Sequence, residues 1–340
     1  MCFSVLLPRQ LKILQFIVFV SALCSYCTLF AQSVTPEQFV GQMVREHQFN
    51  YLYLSQLLEQ AKVHKSIVRA VSCYRTPTKT GKRSPWYKYR RKFVNDRLIS
   101  NGIAFRHKHL TILTRAQQRF GVPAEIITAI IGIETFYGSN TGNYRILDAL
   151  YTLAFHCPRR ADFFRDELKN YLLLTREERF DPLEMRGSYA GAMGLGQFMP
   201  SSYRKYAVDF DGDGRRDIWT NPSDAIGSVA NYFKQHGWQP GQPVIEPTQV
   251  RPGAVESLLA LDFEMKYTLK QLKNWGLLYY GSQPERSYGL LIDLKTKQGM
   301  TYWVGFTNFY VITRYNKSNY YAMSVYQLAQ EIARATVYGY

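Results

Sequence analysis

The chain has 340 residues, 46% of them hydrophobic, enough for one large domain or two to three packed lobes with real cores. It carries 42 Lys and Arg against 26 Asp and Glu, a formal charge of +16, which suits a basic soluble surface or a polyanionic partner such as a membrane or a cell-wall polymer. There is no RNA-binding signature, zinc-knuckle spacing or phosphate loop, so nucleic acid is not an expected partner.

The first 31 residues read as an export signal. "MCFSVLLPRQLK" holds Arg9 and Lys12 and no acid, "ILQFIVFVSALCSYCTLFA" is apolar and uncharged, and small Ala31 precedes polar sequence. Cleavage after Ala31 is expected; an uncleaved membrane anchor is the alternative, because the run is almost long enough to span. Cys24 follows Leu23 and Cys27 follows Tyr26, where lipid attachment favours a small residue, so a lipoprotein is not expected. Removing Arg9 and Lys12 lowers the formal charge to +14. Cys73 and Cys157 remain, and in an exported protein they either pair or stay as buried thiols; no cysteine cluster suggests a metal.

From about residue 36 to 72 the pattern is helical, opened by Thr35 as cap, Pro36 in the first helical position and Glu37 in the first turn. "CYRTPTKTGKRSPWYKYRRKF" reads as a basic loop. Helices follow at 106–120, 123–137 and 144–156, another after Pro158, and a short one from Asp181-Pro182. "GSYAGAMGLGQFMPSSYRKYAVDFDGDGRRDIW" is irregular. "NPSDAIGSVANYFKQHGW" is a helix capped by Asn221, started by Pro222 and stopped by Gly237. "PGQPVIEPTQVRPG" reads as a connector or short strands, and "SYGLLIDLKTKQGMTYWVGF" as strand, turn at Gln298-Gly299 and strand. The chain is helical again from Ser324. The expected class is α+β, mainly α, with a small β portion late in the chain.

Glu134 ends the apolar stretch "EIITAIIGIE". On a helix it shares a face with Ile127, Ile130 and Ile131, and it lies in the last turn, where the helix dipole disfavours an anion. Both effects raise its pKa, as a general acid requires. A buried Glu paired with Arg fits the residues as well. The glycines of "SYAGAMGLGQF" lack the preceding strand of a dinucleotide site. They suit either a backbone that approaches a bulky ligand, with Ser188 and Gln197 as neutral donors and acceptors, or a purely structural loop.

"DFDGDGRRDIWTNPSD" carries the most specific metal pattern. Asp209, Asp211 and Asp213 stand at positions 1, 3 and 5 of an EF-hand loop, Gly214 at 6, Arg215 at 7 with its carbonyl, and Asp217 at 9. Thr220 stands where a bidentate Glu belongs, so Asp224 is the expected last ligand. An all-oxygen set points to Ca2+ rather than zinc; no organic cofactor is expected.

The segments "GIETFYGSNTG", "RILDALYTLAFHCPRRADFF", "GSYAGAMGLGQFMPSSYRKYAVDFDGDG", "AIGSVANYFKQHGW" and "YWVGFTNFYVITRYNKSNYYAMSVYQLA" together resemble the lytic murein transglycosylase B family of lysozyme-like cell-wall enzymes, from about residue 36 to the end. The resemblance implies a lysozyme-like core at about 100–240, a β-containing portion at about 241–315, and N- and C-terminal helices that pack together. It implies cleavage of the β-1,4 bond between N-acetylmuramic acid and N-acetylglucosamine of peptidoglycan glycan strands, with formation of a 1,6-anhydromuramoyl end. Glu134 is the single acid and base in that reading. Ser188 and Gln197 contact sugars, and Arg159 and Arg160 meet peptide or lactyl carboxylates. Tyr89, Tyr232, Tyr315, Asn316 and Tyr321 line the glycan groove. A periplasmic monomer is expected, with membrane association as an alternative; the sequence names no cell-wall synthesis or divisome partner. Rival readings are a hydrolytic muramidase with Asp148 or another acid as second carboxylate, a chitin-active enzyme, and a non-catalytic wall-binding scaffold.

Overall fold

A computed structural model describes residues 34–71, 73, 84–261 and 263–338. The export signal with Ala31, and most of the basic loop at 74–83, lie outside the described residues. Backbone contacts divide the chain after Ser55.

The N-terminal unit holds helix α1, Pro36–His47, whose start is the expected one. Thr35 and Gln38 form a reciprocal capping box, with Pro36 in the first turn. Helix α2, Tyr51–Glu59, runs across the division.

The larger unit is mainly helical. Its first helices are α3 (Lys65–Ala70), α4 (Trp86–Phe93), α5 (Asp96–Lys108), α6 (Leu110–Phe120) and α7 (Ala124–Thr135). The expected helix at 106–120 is therefore two helices that meet at His109, whose backbone leaves the helical region. "WYKYRRKF", expected as loop, is α4: Trp86 is buried, and burial of that ring outweighs the basic composition.

Helix α7 is the centre of this unit. It packs against α5, α6 and two helices introduced below, α11 and α15. Ile126, Ile127, Ile130 and Ile131 are all buried, so the helix is enclosed on most sides rather than on one stripe. Gly132 permits the next turn: a Cβ there would come within 2.5 Å of the Tyr137 ring.

A short ribbon pairs β1 (Tyr144–Arg145) antiparallel with β2 (Arg186–Gly187). Between them lie α8 (Ile146–His156), a 3-10 turn at Pro158–Arg160 and α9 (Ala161–Glu178). Cys73 and Cys157 form a disulfide that ties the end of α8 to a residue 84 positions earlier. Asp181-Pro182 starts a turn, not a helix: the Asp181 side chain accepts the Leu183 N–H and closes the chain locally. The glycine-rich segment contains one unexpected helix, α10 (Pro200–Tyr206), with Pro in its first turn. Helix α11, Pro222–Gln235, has the expected Asn221 cap and Pro222 start.

The late β portion is a five-stranded antiparallel sheet in the order β4-β6-β7-β3-β5 among the described residues. Its strands are β3 (Ile245–Val250), β4 (Tyr267–Thr268), β5 (Leu277–Leu278), β6 (Tyr288–Lys295) and β7 (Met300–Gly305). Helices α12 (Val255–Leu259) and α13 (Leu269–Asn274) help to cover it. Leu258, Leu269, Leu272, Leu291 and Val304 form its small core. The chain returns to the helical body through α14 (Thr307–Tyr315) and α15 (Asn319–Tyr338). No helix among the described residues is long and apolar enough to cross a membrane.

Candidate active site

Helix α7 ends one residue after Glu134. Its apolar body is anchored in the core, so its last turn is held firmly, and Phe136, Tyr137 and Gly138 then take left-handed backbone in succession, at φ of 52°, 60° and 90°. Such backbone is costly for a bulky residue and persists only where the surroundings enforce it. Thr135 is one of the enforcing groups: its single hydroxyl proton lies between the Ile131 and Leu195 carbonyls, both 3.0 Å from Oγ1, and the oxygen accepts the Gly138 N–H at 3.0 Å.

The Glu134 side chain keeps some exposure, as a group that meets substrate must. Its carboxyl is nonetheless closely surrounded, and burial pushes its pKa up to about 7. One hydrogen bond opposes that rise: the Tyr321 hydroxyl donates to Glu134 Oε1 at 2.6 Å. No cation is paired with Glu134 among the described residues. The alternative reading of Glu134, a buried acid matched to an Arg, is thereby disfavoured.

Tyr321 is buried on the first turns of α15, 187 residues from its partner. Tyr315, at the end of α14, donates to the Gly196 carbonyl. Burial first and the Glu134 charge next hold the hydroxyls of both Tyr315 and Tyr321 well above the usual tyrosine range, so both remain donors. Tyr232 donates to the Arg314 carbonyl at 2.6 Å and packs its ring 4.8 Å from that of Tyr315.

Gln197 has a left-handed backbone, φ 51°, and its side-chain amide donates to the Thr141 and Gly194 carbonyls at 3.1 and 3.0 Å. Its amide oxygen is the end available to a ligand. Close packing of the segment explains its glycines: a Cβ on Gly194 would stand 2.4 Å from the Ile218 carbonyl. Ser188 Oγ accepts the N–H groups of Ala190 and Ala192. Tyr89 lies in a ring cluster with Trp86, Phe93 and Tyr320, the residue before Tyr321. Contacts thus link Glu134 to Tyr321, its neighbour Thr135 to the loop of Gln197 through Leu195, and Tyr232 to the same loop through Tyr315. Asn316 is exposed where α14 ends. Arg159 and Arg160 are exposed on the 3-10 turn, with the Arg160 guanidinium 4.4 Å from the Phe163 ring centre.

The acidic loop brings carboxylates of Asp209, Asp211, Asp213 and Asp224 within 4.8 Å of one another. Asp224 is fully buried and accepts the N–H groups of Phe210 and Asp217 at 2.7 and 2.8 Å. Burial, with repulsion from Asp211 and Asp209, pushes its pKa up to about 6. Asp217 faces elsewhere, accepting from Trp219 and Thr220. Arg215 is exposed.

A transglycosylase SLT domain family model matches residues 32–330. The membrane-bound lytic murein transglycosylase B of Escherichia coli (strain K12) is 45% identical over 313 residues, which are 91% of this chain and 85% of the relative. The chain belongs to the lytic murein transglycosylase B family. Solved members have the same fold. Catenated SltB1 from Pseudomonas aeruginosa, at 49% identity, matches with a TM-score of 0.84 over 88% of this chain and 97% of the other. Escherichia coli Slt35 in complex with calcium, at 44% identity, matches with a TM-score of 0.79 over 91% and 95%.

As a lytic transglycosylase, the chain carries features beside Glu134 that its sequence did not announce. Thr135 fixes the end of α7, and Phe136 and Tyr137 have left-handed backbone. Phe and Tyr give no local sign of that conformation; it is imposed by contacts such as the Tyr137 hydroxyl bond to the Leu98 carbonyl at 2.9 Å.

Proposed function

We propose that this lytic transglycosylase cuts the β-1,4 bond between N-acetylmuramic acid and N-acetylglucosamine in peptidoglycan and closes a 1,6-anhydromuramoyl ring, with Glu134 as its single acid and base. The observation that carries the reading is the state of Glu134: near its pKa at neutral pH, with a neutral hydroxyl as partner. Protonated Glu134 gives its proton to the glycosidic oxygen as the C1–O bond breaks. The substrate acetamido group stabilises the positive charge that develops at C1. Glu134, now a carboxylate, takes the proton of the muramoyl C6 hydroxyl as that oxygen bonds to C1. Two-carboxylate glycosidases place their second acid at the reacting carbon; an intramolecular nucleophile removes the need for one.

Asp148, the candidate second carboxylate of a hydrolase, is committed elsewhere. It is 4% exposed and accepts from the Lys62 N–H and from Arg145 Nε, both at 2.9 Å. Gln197 and Ser188 are assigned to the sugars beside Glu134, and Arg159 and Arg160 to peptide or lactyl carboxylates. Tyr89, Tyr232, Tyr315, Asn316 and Tyr321 are assigned to the groove, with the Tyr232 ring also packed against Tyr315. The domain plan stays as the resemblance has it: a signal to Ala31, a lysozyme-like core at about 100–240 and a β-containing portion at about 241–315, in an exported periplasmic monomer.

Ca2+ is assigned to Asp209, Asp211, Asp213 and Asp224 with the Arg215 carbonyl, supported by the four converging carboxylates and by the calcium complex of Slt35. Asp217 would act through water, as position 9 often does. The ion braces the start of α11 and takes no part in the reaction. Chelation is expected to lower the melting temperature, by about 2.7 kcal/mol of stability if free Ca2+ stands at a hundred times its Kd. An unchanged melting temperature with and without chelator would remove calcium.

Mass spectrometry of soluble products from purified sacculi tests the reaction, with Glu134→Gln alongside. Anhydromuramoyl ends from the unmutated protein alone are expected. Reducing muramic ends would mean a hydrolase, and bound sacculi without product would mean a scaffold.

A further inference from the structure

A second cleft, of about 590 Å3, lies away from Glu134 and is lined by Lys62, His64, Tyr144, Arg145, Asp148 and Arg186 among others. Its size is within the range of small-ligand sites. Its charges are unbalanced: three permanent cations face one carboxylate. Asp148 is already taken by Arg145, by the Lys62 backbone N–H and by His64, whose Nε2 is 3.5 Å from Oδ2. No carboxylate pairs with the Lys62 ammonium or the Arg186 guanidinium among the described residues; Arg186 donates to the Asn143 carbonyl at 2.9 Å.

The ribbon makes this arrangement expensive. Arg145 and Arg186 stand directly opposite each other in the β1–β2 register, and like charges in that relation destabilise a pair of strands. Asp148 already matches the Arg145 charge, so Arg186 is the member of the pair left unmatched. An anion seated between the exposed Lys62 and Arg186 would offset it, with the planar guanidinium suited to a carboxylate.

The cleft also adjoins the sugar-binding loop. Ser188 directly follows β2. Gly142 and Gly187 are pressed so closely that a Cβ on Gly142 would stand 2.2 Å from the Gly187 carbonyl oxygen. Gln197 reaches the Thr141 carbonyl on the other side of Gly142. We propose that this cleft is a carboxylate pocket, in which Lys62 and Arg186 hold a free carboxylate of the peptide borne by a muramoyl residue whose sugar lies near Ser188. The inference rests on the murein reading above. It concerns a site separate from Arg159 and Arg160, which lie beyond the far end of α8.

The test is a Lys62→Gln, Arg186→Gln double variant of the full chain. Both side chains are exposed, and Gln at 186 keeps a donor for Asn143. Steady-state kinetics are measured on peptide-bearing sacculi and on glycan strands stripped of peptide. KM on peptide-bearing substrate is expected to rise roughly three- to tenfold with kcat unchanged, the scale of two partly exposed charge pairs, while the stripped strands are cut as before. Arg186→Lys should restore part of the loss. Unchanged kinetics on both substrates, or an equal loss on both, would overturn the pocket. Calorimetric titration with free stem tetrapeptide separates the two readings: binding by the unmutated protein and not by the variant supports the pocket even if no anhydromuramoyl product is ever found, and binding by neither counts against it.

Discussion

Two carboxylates on adjacent helices, Glu134 and Asp148, were treated differently by the fold. Asp148 is in the first turn of α8, where the helix dipole favours an anion, and it collects a guanidinium, a backbone N–H and an imidazole. Glu134 is in the last turn of α7, where the dipole opposes an anion, and among the described residues its side chain's one hydrogen-bond partner is the Tyr321 hydroxyl. Asp148 has become part of the frame that joins residues 60–64 to α8. Glu134 is left with a pKa that burial raises to about 7, the state the proposed acid and base role requires. A buried acid is therefore informative through the company it lacks.

The strongest way to break this contrast is to neutralise each acid. Glu134→Gln should lower the rate of anhydromuramoyl product formation by about 10³-fold, within the usual range for a lost general acid, while the protein stays folded by circular dichroism. A loss under tenfold would deny Glu134 its role. Asp148→Asn should do the opposite. It leaves Arg145 without its charge partner, and urea unfolding should show a loss of about 2–3 kcal/mol, whereas folded molecules still make anhydromuramoyl ends. A switch to no product at full stability would reverse the assignments.

The pH dependence of stability sharpens the same comparison. Glu134 is raised to about 7 in the fold from 4.5 when free. The folded state therefore binds more protons than the unfolded chain between those values. The stability linked to this group is fully present below about 4.5 and is lost as pH rises through about 7, on the order of 3 kcal/mol. Glu134→Gln lacks that loss, so its melting temperature should match the parent at pH 4 and exceed it at pH 8; parallel curves would mean that Glu134 is not held near 7.

The smallest effect is expected at Tyr321→Phe. The hydrogen bond lowers the Glu134 pKa, so its removal should move the alkaline limb of kcat/KM to higher pH. Activity near pH 6 should fall roughly three- to tenfold, the scale of one hydrogen bond. An unmoved limb would show that Tyr321 does not set the protonation of Glu134.

Features that depend on neighbours a few residues away were legible in the sequence. The Thr35 cap, the Asn221 cap of α11, the β6–β7 hairpin and the acidic spacing at Asp209, Asp211 and Asp213 all follow from short-range rules. So did the placement of Glu134 at the end of an apolar helix. Errors arose where a local rule met a distant partner. "WYKYRRKF" is polar enough for a loop, yet Trp86 packs edge-on against Tyr320 and the segment is helical.

Order, spacing and turn chemistry along the chain were enough for the family and for most of the long elements, such as α7, α11 and the β6–β7 hairpin. Tertiary structure decided which carboxylate would be left without a cation, that Cys73 and Cys157 would pair, and that Arg145 would face Arg186. Each of these depends on groups between 41 and 187 residues apart meeting within a few ångströms. Spacing along a chain cannot specify such meetings, since they are selected by the packing of whole helices around α7.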